Sequence, residues 1–437
     1  MMPLLMFVAL LAAIFLGFPV AFSLMAIALV FGLLRFGEVA VFQFVSKVDD
    51  VANANVLAAV PLFVFMGAMF ERSGIANRLF EAIHIWTRRV PGGLAVASVL
   101  LCVIFAAASG IIGATESVVG LLSIPIMLRY AYDRGLISGT ICAGGSLGTI
   151  IPPSVVVIIL GPVAGVSVGN LFVGMLIPGL LLATLYIAYI VVRCVVRPDD
   201  GPRLPAPVEV PPVLQRIAFT ARALVPPAVL IVAVLGSIML GIATPTEAAG
   251  VGALGAMLLT LLYGRFGLPL LKETLLRTVQ VTAMILTILL GGSMFAGVFV
   301  ASGGISATRQ LLAVADLGPA GTLAFVLTLG FLAGFVLEPI SIILIMIPVV
   351  MPIIQGLGHD PIWFCILFLV VLQTSYLTPP MAPSIFYLRG IAPPEITLRD
   401  MYRGVVPFIV LQVLTLGLVV TFPALALWLP AQLLGFR

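Results

Sequence analysis

From Gly135 to Val192 the chain carries no Asp, Glu, Lys or Arg. Ten further stretches are also free of charge: Pro3–Leu34, Val51–Phe70, Val90–Thr115, Ala223–Thr246, Ala248–Gly264, Thr278–Thr308, Leu317–Leu337, Pro339–Gly358, Ile362–Leu388 and Gly404–Phe436. A helix needs about 20 apolar residues to cross the hydrocarbon core, so several stretches hold two segments. The sum is roughly 11–13 crossings, some incomplete. Lipid offers no hydrogen-bond partner to the backbone, so the spans are helices. The short alternating segments of a porin-type barrel are absent. The expected fold class is an all-α integral membrane protein.

Composition excludes the soluble classes. Of 437 residues, 62% are hydrophobic and 9% charged, where a soluble domain is about a quarter charged. The net charge of +4, from 21 basic and 17 acidic residues, is too weak and scattered for a nucleic-acid surface. Cys102, Cys142, Cys194 and Cys365 lie far apart with no metal-ligand spacing, and read as small buried hydrophobes. Two histidines, His84 and His359, leave little room for a haem or di-metal centre, and no cofactor is expected. The opening MMPLLMFVALLAAIFLGFPVAF lacks a basic leader and runs into more apolar chain, so it reads as an uncleaved first span.

Residues 193–222 are proline-rich and charged, a linker by composition. Five arginines place it in the cytoplasm by the positive-inside bias. It separates 1–192 from 223–437, and these halves read as a repeat. Gly74-Ile75 aligns with Gly304-Ile305, Ile124-Pro125 with Ile347-Pro348, and Pro152-Pro153 with Pro379-Pro380. Three matching blocks in one order are hard to obtain from composition. Repeats inverted in the membrane are a signature of secondary transporters.

Each half has two places where a helix must stop. One is a turn inside an apolar run, Ala108–Glu116 and Gly334–Pro339, which fits a re-entrant hairpin. The other is the Pro-Pro, which removes two backbone donors and disfavours helix just before it. Broken helices free carbonyl oxygens that suit Na⁺, and N-termini that attract anions. The competing reading is a packing kink, but a symmetric set of four favours a site. Glu116 and Glu338 lie at nearly equivalent places; cation coordination, proton coupling, shaping of a substrate site and helix capping all remain open for them. Glu247, in Thr244-Pro245-Thr246-Glu247, reads as a helix-start residue. Asn77–Arg88 reads as an amphipathic interfacial helix.

Five stretches carry a family resemblance: PLFVFMGAMFERSGIANRLF, ASGIIGATESVVG, GGSLGTIIPPS, TPTEA, and LEPISIILIMIPVVMPIIQGLGHDP with YLTPP. Spread over nearly the whole chain, they resemble the large membrane subunit of tripartite ATP-independent periplasmic (TRAP) transporters. The resemblance implies an elevator, with a scaffold and a moving domain holding two helical hairpins. It implies uptake of an organic anion, usually a carboxylate, driven by a Na⁺ gradient in the bacterial inner membrane. Implied partners are a periplasmic substrate-binding protein and a small four-helix membrane subunit.

By position, the resemblance puts one Na⁺ site at Ser109, Gly110 and Gly113 facing Gly148, Thr149 and Pro152. It puts the other at Gly334 facing Thr374, Thr378 and Pro379. Substrate is expected between the tips, among Ser109, Thr115, Glu116, Ser154, Glu338 and Thr378. The first tip departs from a common Ser-Gly-Ser, and Leu-Glu-Pro replaces a common Leu-Asp-Pro. These variants resemble the branch associated with 2-oxo acids, or with mannitol and chloroaromatic acids, rather than a sialic-acid-like substrate. The alternative is a self-sufficient Na⁺/dicarboxylate-type symporter that needs no binding protein. A membrane enzyme would want convergent His, Asp or Lys residues at a membrane face; none are evident, and no enzymatic activity is expected.

Overall fold

The computed structural model describes residues 2–110, 113–203 and 212–435; these contain helices and no strand. The helices before the linker are α1 Met2–Phe15, α2 Val20–Phe36, α3 Val39–Ala52, α4 Ala59–Arg72, α5 Ile75–Thr87, α6 Gly93–Ser109, α7 Ala114–Arg129, α8 Arg134–Ser146, α9 Val155–Ala164 and α10 Val168–Val196. After it come α11 Val213–Met239, α12 Pro245–Leu262, α13 Leu268–Ala301, α14 Gly304–Ala315, α15 Gly318–Ala333, α16 Pro339–Gly356, α17 Pro361–Leu377, α18 Pro383–Ile391, α19 Leu398–Thr421 and α20 Ala424–Leu434.

Seven helices among the described residues are long and apolar enough to cross a membrane: α4 with the short turn before it, α10, α11, α12, α13, α16 and α19. Seven more are apolar but shorter, α6, α15 and α17 among them. Incomplete crossings were expected where the chain turns back, and α6 is followed at once by α7. Its 17 residues rise about 25 Å, short of a full crossing.

The linker is shorter than composition suggests. Arg193 is still inside α10, and Val213–Arg222 already belong to α11. Residues 204–211 lie outside the described part. Arg193 explains where α10 is fastened. Its guanidinium bridges Asp133 at 2.8 Å and Asp200 at 2.7 Å. Asp133 also caps α8 by accepting from the Leu136 amide at 2.8 Å.

The two broken helices run through the core. Every residue of α8 from Gly135 to Ser146 is buried, and so is every residue of α17 from Ile362 to Leu377. By contrast α3, α11 and α13 expose large apolar side chains such as Phe42, Leu214 and Leu268. That inversion of the soluble pattern is what a lipid-facing periphery requires. Helix α8 meets α19 where Gly139 lies against the Gly404 carbonyl with no room for a Cβ. Small residues let the backbones close in where no hydrophobic force drives helices together.

Glu247 is structural, as its sequence suggested. Its carboxylate accepts from the Thr244 amide and hydroxyl, both at 2.8 Å, while the Thr244 hydroxyl accepts from the Glu247 amide at 3.3 Å. Thr397 and Asp400 build the same cap on α19. The expected helix at Asn77–Arg88 is α5. Its Trp86 indole donates to the Thr220 hydroxyl at 2.8 Å, tying α5 to α11.

Candidate transport site

The first turn lies against the first break. Gly110 ends α6 in the left-handed region, with φ +57°. A Cβ there would sit 2.6 Å from the Pro153 carbonyl oxygen and 3.3 Å from the Ser154 Cα. Glycine serves both the turn and the approach. Gly113 (φ +86°) closes on the Tyr387 ring, 2.8 Å from where a Cβ would be. Ile111 and Ile112 lie outside the described residues, as does the Ser109 side chain.

The second turn meets the second break in the same way but through another residue. Gly334 has ordinary helical angles, and a Cβ on it would collide with the Ser375 hydroxyl. Ser375 was not among the expected ligands. It precedes the Pro-Pro as one hydroxyl among several, and only packing shows which one the tip meets. Both Pro-Pro bonds are cis.

Oxygen atoms collect at both breaks. Ser154 is fully buried and its hydroxyl has no partner among the described residues. The hydroxyls of Thr149, Thr374 and Thr378 donate back to the carbonyls of Ser146, Val370 and Thr374 at 2.7–2.8 Å. With the proton so used, each hydroxyl keeps lone pairs free to accept or to coordinate a cation. Gly148 lies in the single turn Leu147–Thr149 before Pro152. Thr378 and Pro379 are half-buried at the other break.

The two tips open onto one space. A cavity of about 690 Å³ is walled by Gly110, by Gly334–Pro339, by Tyr376 and Tyr387, and by Arg277 and Gln280 of α13. A second cavity of about 550 Å³ adjoins it through Arg277, Gln280, Val281 and Tyr387, and reaches Gly113, Glu71, Arg72 and Glu273. Arg72 pairs with Glu273. Arg277 makes no ion pair among the described residues. Together the walls hold three carboxylates (Glu71, Glu273, Glu338) and two guanidinium groups (Arg72, Arg277).

The two carboxylates that look equivalent in sequence are placed differently. Glu338 holds the position just before α16, accepts from the Ser341 hydroxyl at 3.1 Å, and lines the larger cavity. Glu116 is the third residue of α7 and is fully buried. It packs against Gly145 of α8 with no space for a Cβ there. One oxygen accepts from Ser384 of α18 at 2.8 Å and the other has no partner among the described residues. Of the residues expected around substrate, the Ser109 side chain lies outside the described part, and of the other five only Glu338 lies in these cavity walls. Glu116, Thr115 and Ser154 stand behind the tips, buried, and Thr378 sits at the break. The structure adds Arg277, Gln280, Tyr376 and Tyr387. The available signal was Arg277-x-x-Gln280, two polar residues on one helix face at the edge of a charge-free run.

The family model described as tripartite ATP-independent periplasmic transporter, DctM component, matches residues 7–425. The chain is 31% identical to the C4-dicarboxylate TRAP transporter large permease protein DctM of Pseudomonas aeruginosa, over 91% of each. It is 29% identical to the sialic acid TRAP transporter large permease protein SiaM of Vibrio cholerae, over 98% of each. It is equally similar, at 29% over 97% of each, to the ectoine/5-hydroxyectoine large permease protein UehC of Ruegeria pomeroyi. Among solved structures it is similar in fold to the Alcanivorax borkumensis YdaH transporter. There the TM-score is 0.61 with 18% identity, covering 92% of this chain and 97% of that one.

Proposed function

The chain belongs to the DctM-component family of tripartite ATP-independent periplasmic transporters, and from that premise we propose that it is the subunit that carries substrate in a Na⁺-coupled uptake system of the bacterial inner membrane. The cargo is a small organic anion bearing a carboxylate, with 2-oxo acids the class suggested by its variant tips. A periplasmic binding protein delivers it, and a small four-helix membrane subunit braces the permease. The observation that carries this reading is the meeting of both glycine tips with both Pro-Pro breaks around one cavity.

Its mechanism follows from the charges and oxygens of that cavity. The walls carry one more carboxylate than guanidinium group, so an anion alone is opposed. Na⁺ at the breaks offsets that charge, which makes anion and cation binding cooperative. One ion sits at Ser109, Gly110, Gly113, Gly148, Thr149 and Pro152, with Ser154 supplying its unpartnered oxygen. The other sits at Gly334, Thr374, Thr378 and Pro379, with Ser375 beside it.

The chain is read as two inverted halves, 1–192 and 223–437, to either side of the linker. Support comes from the order of elements. The succession α4, α5, α6, α7, α8, α9, α10 has the same character as α13, α14, α15, α16, α17, α18, α19. Transport is by an elevator in which the tips and broken helices move against α2, α3, α4, α12 and α13. These five pack on one another.

Uptake of radiolabelled 2-oxo and hydroxy acids, measured against Na⁺ concentration, tests the ion sites. Ser154→Ala and Thr374→Val are each expected to shift half-activation to higher Na⁺. Unchanged Na⁺ curves in both would remove the ion sites from the breaks.

A further inference from the structure

We infer that Arg277 of α13 is the anchor for the substrate's carboxylate, and that Glu338 opposite the same space makes the site select monocarboxylates over dicarboxylates. This rests on the reading of the cavity as the organic-anion site. Among the basic groups on the two cavities, Arg72 is committed to Glu273. Arg277 makes no direct ion pair among the described residues, although Glu71 in the smaller chamber lies within reach of its charge, and it belongs to both chambers. Arg277 is exposed, stands at the edge of an apolar span and faces the cavity, so its guanidinium group is open to an incoming anion. Its fork matches a carboxylate in bidentate fashion. Gln280, one turn further along α13 and lining the same chambers, offers a second donor beside it.

Glu338 lines the larger chamber without an ion pair to Arg277. Its hydrogen-bond partner is Ser341 on its own helix. A ligand with one carboxylate satisfies Arg277 and presents an uncharged or donor-bearing end to Glu338. A second carboxylate meets a like charge, which disfavours it. Phe335, Tyr376, Phe386 and Tyr387 supply apolar wall for the body of the ligand. Arg277 also belongs to α13, which packs with α2 and α4, whereas the tips belong to other helices. In an elevator, the arginine contact therefore exists at only one end of the stroke.

The test is direct binding to the permease with its small subunit in nanodiscs, in saturating Na⁺, so that no binding protein does the selecting. The probes are lactate, pyruvate, gluconate, succinate and malate. Monocarboxylates are expected to bind at least about tenfold more tightly than succinate and malate. Arg277→Gln is expected to weaken monocarboxylate binding by about tenfold to a hundredfold, with Arg277→Lys recovering part of it. Glu338→Gln is expected to narrow the gap between mono- and dicarboxylates. A Na⁺-induced rise in thermal stability, kept in each variant, shows that it is folded. Wild-type affinity in folded Arg277→Gln, or succinate binding as tightly as the monocarboxylates, overturns the inference and leaves the uptake reading standing. Failure of the wild type to bind any of the five acids contradicts the organic-anion reading itself, and this assignment with it.

Discussion

The Gln373 amide nitrogen donates to the Ser146 hydroxyl across 3.2 Å, tying the two broken helices to each other in the core. Ser146 is the last residue of α8, just ahead of the first break, and Gln373 lies one residue before Thr374 on α17. Both are fully buried. The pair stands 227 residues apart, the separation that also relates Pro152 to Pro379. Gln412 of α19 reaches the same hydroxyl at 3.5 Å. The bond therefore ties the two Pro-Pro breaks to each other.

Gln373→Leu removes that tie while keeping most of the volume. The Ser146 hydroxyl keeps its bond to the Ala143 carbonyl and its neighbour Gln412, so the variant is expected to cost about 0.5–1.5 kcal/mol, the net worth of one buried hydrogen bond. The check is thermal unfolding of the purified protein in detergent, where the variant melts lower by a few degrees. An equal loss in Na⁺-dependent uptake follows if the two breaks work as a unit.

Gly110→Ala places a Cβ against the Pro153 carbonyl at a left-handed position. The tip must shift away from the break, so uptake is expected to fall at least tenfold while the protein still reaches the membrane. Gly250→Ala is the matched control, because nothing lies within 4 Å of its Cβ. It should leave uptake unchanged.

Glu116→Gln keeps the Ser384 contact and the fit against Gly145. Because Glu116 stands outside the two cavity walls, the KM for substrate is expected to stay within about twofold of wild type. A large rise in KM would move Glu116 into the substrate site. Measuring KM by uptake at fixed Na⁺ decides it.

Thr244→Val breaks the capping box at α12 without touching the cavity. It is expected to destabilise by about 1 kcal/mol, seen as a lower melting temperature with unchanged KM.

What the sequence made legible was whatever depends on local chemistry. Charge-free runs gave helices, and Pro-Pro gave breaks because two missing donors stop a helix whatever surrounds it. Thr244 and Glu247 announced a cap three residues apart. The cavity walls were not legible. Arg277 borders the run Thr278–Thr308, and in sequence it reads like Arg88, an interfacial arginine. Only the packing of α13 beside the tips separates them. Glu116 and Glu338 differ for a similar reason. One enters α7 as its third residue and turns into the core, while the other stands just before α16 and lines the cavity. The linker was overestimated because arginine and proline bias composition there, yet α10 and α11 carry those residues on their ends.

Na⁺-driven uptake is expected to need all three components. It is tested most directly in proteoliposomes holding this chain and its small membrane partner, with radiolabelled 2-oxo and hydroxy acids outside. The comparisons are with and without the binding protein, and an inward Na⁺ gradient against K⁺ alone. Accumulation is expected only when Na⁺ and the binding protein are both present. Accumulation with Na⁺ and no binding protein, or accumulation indifferent to Na⁺, would contradict it.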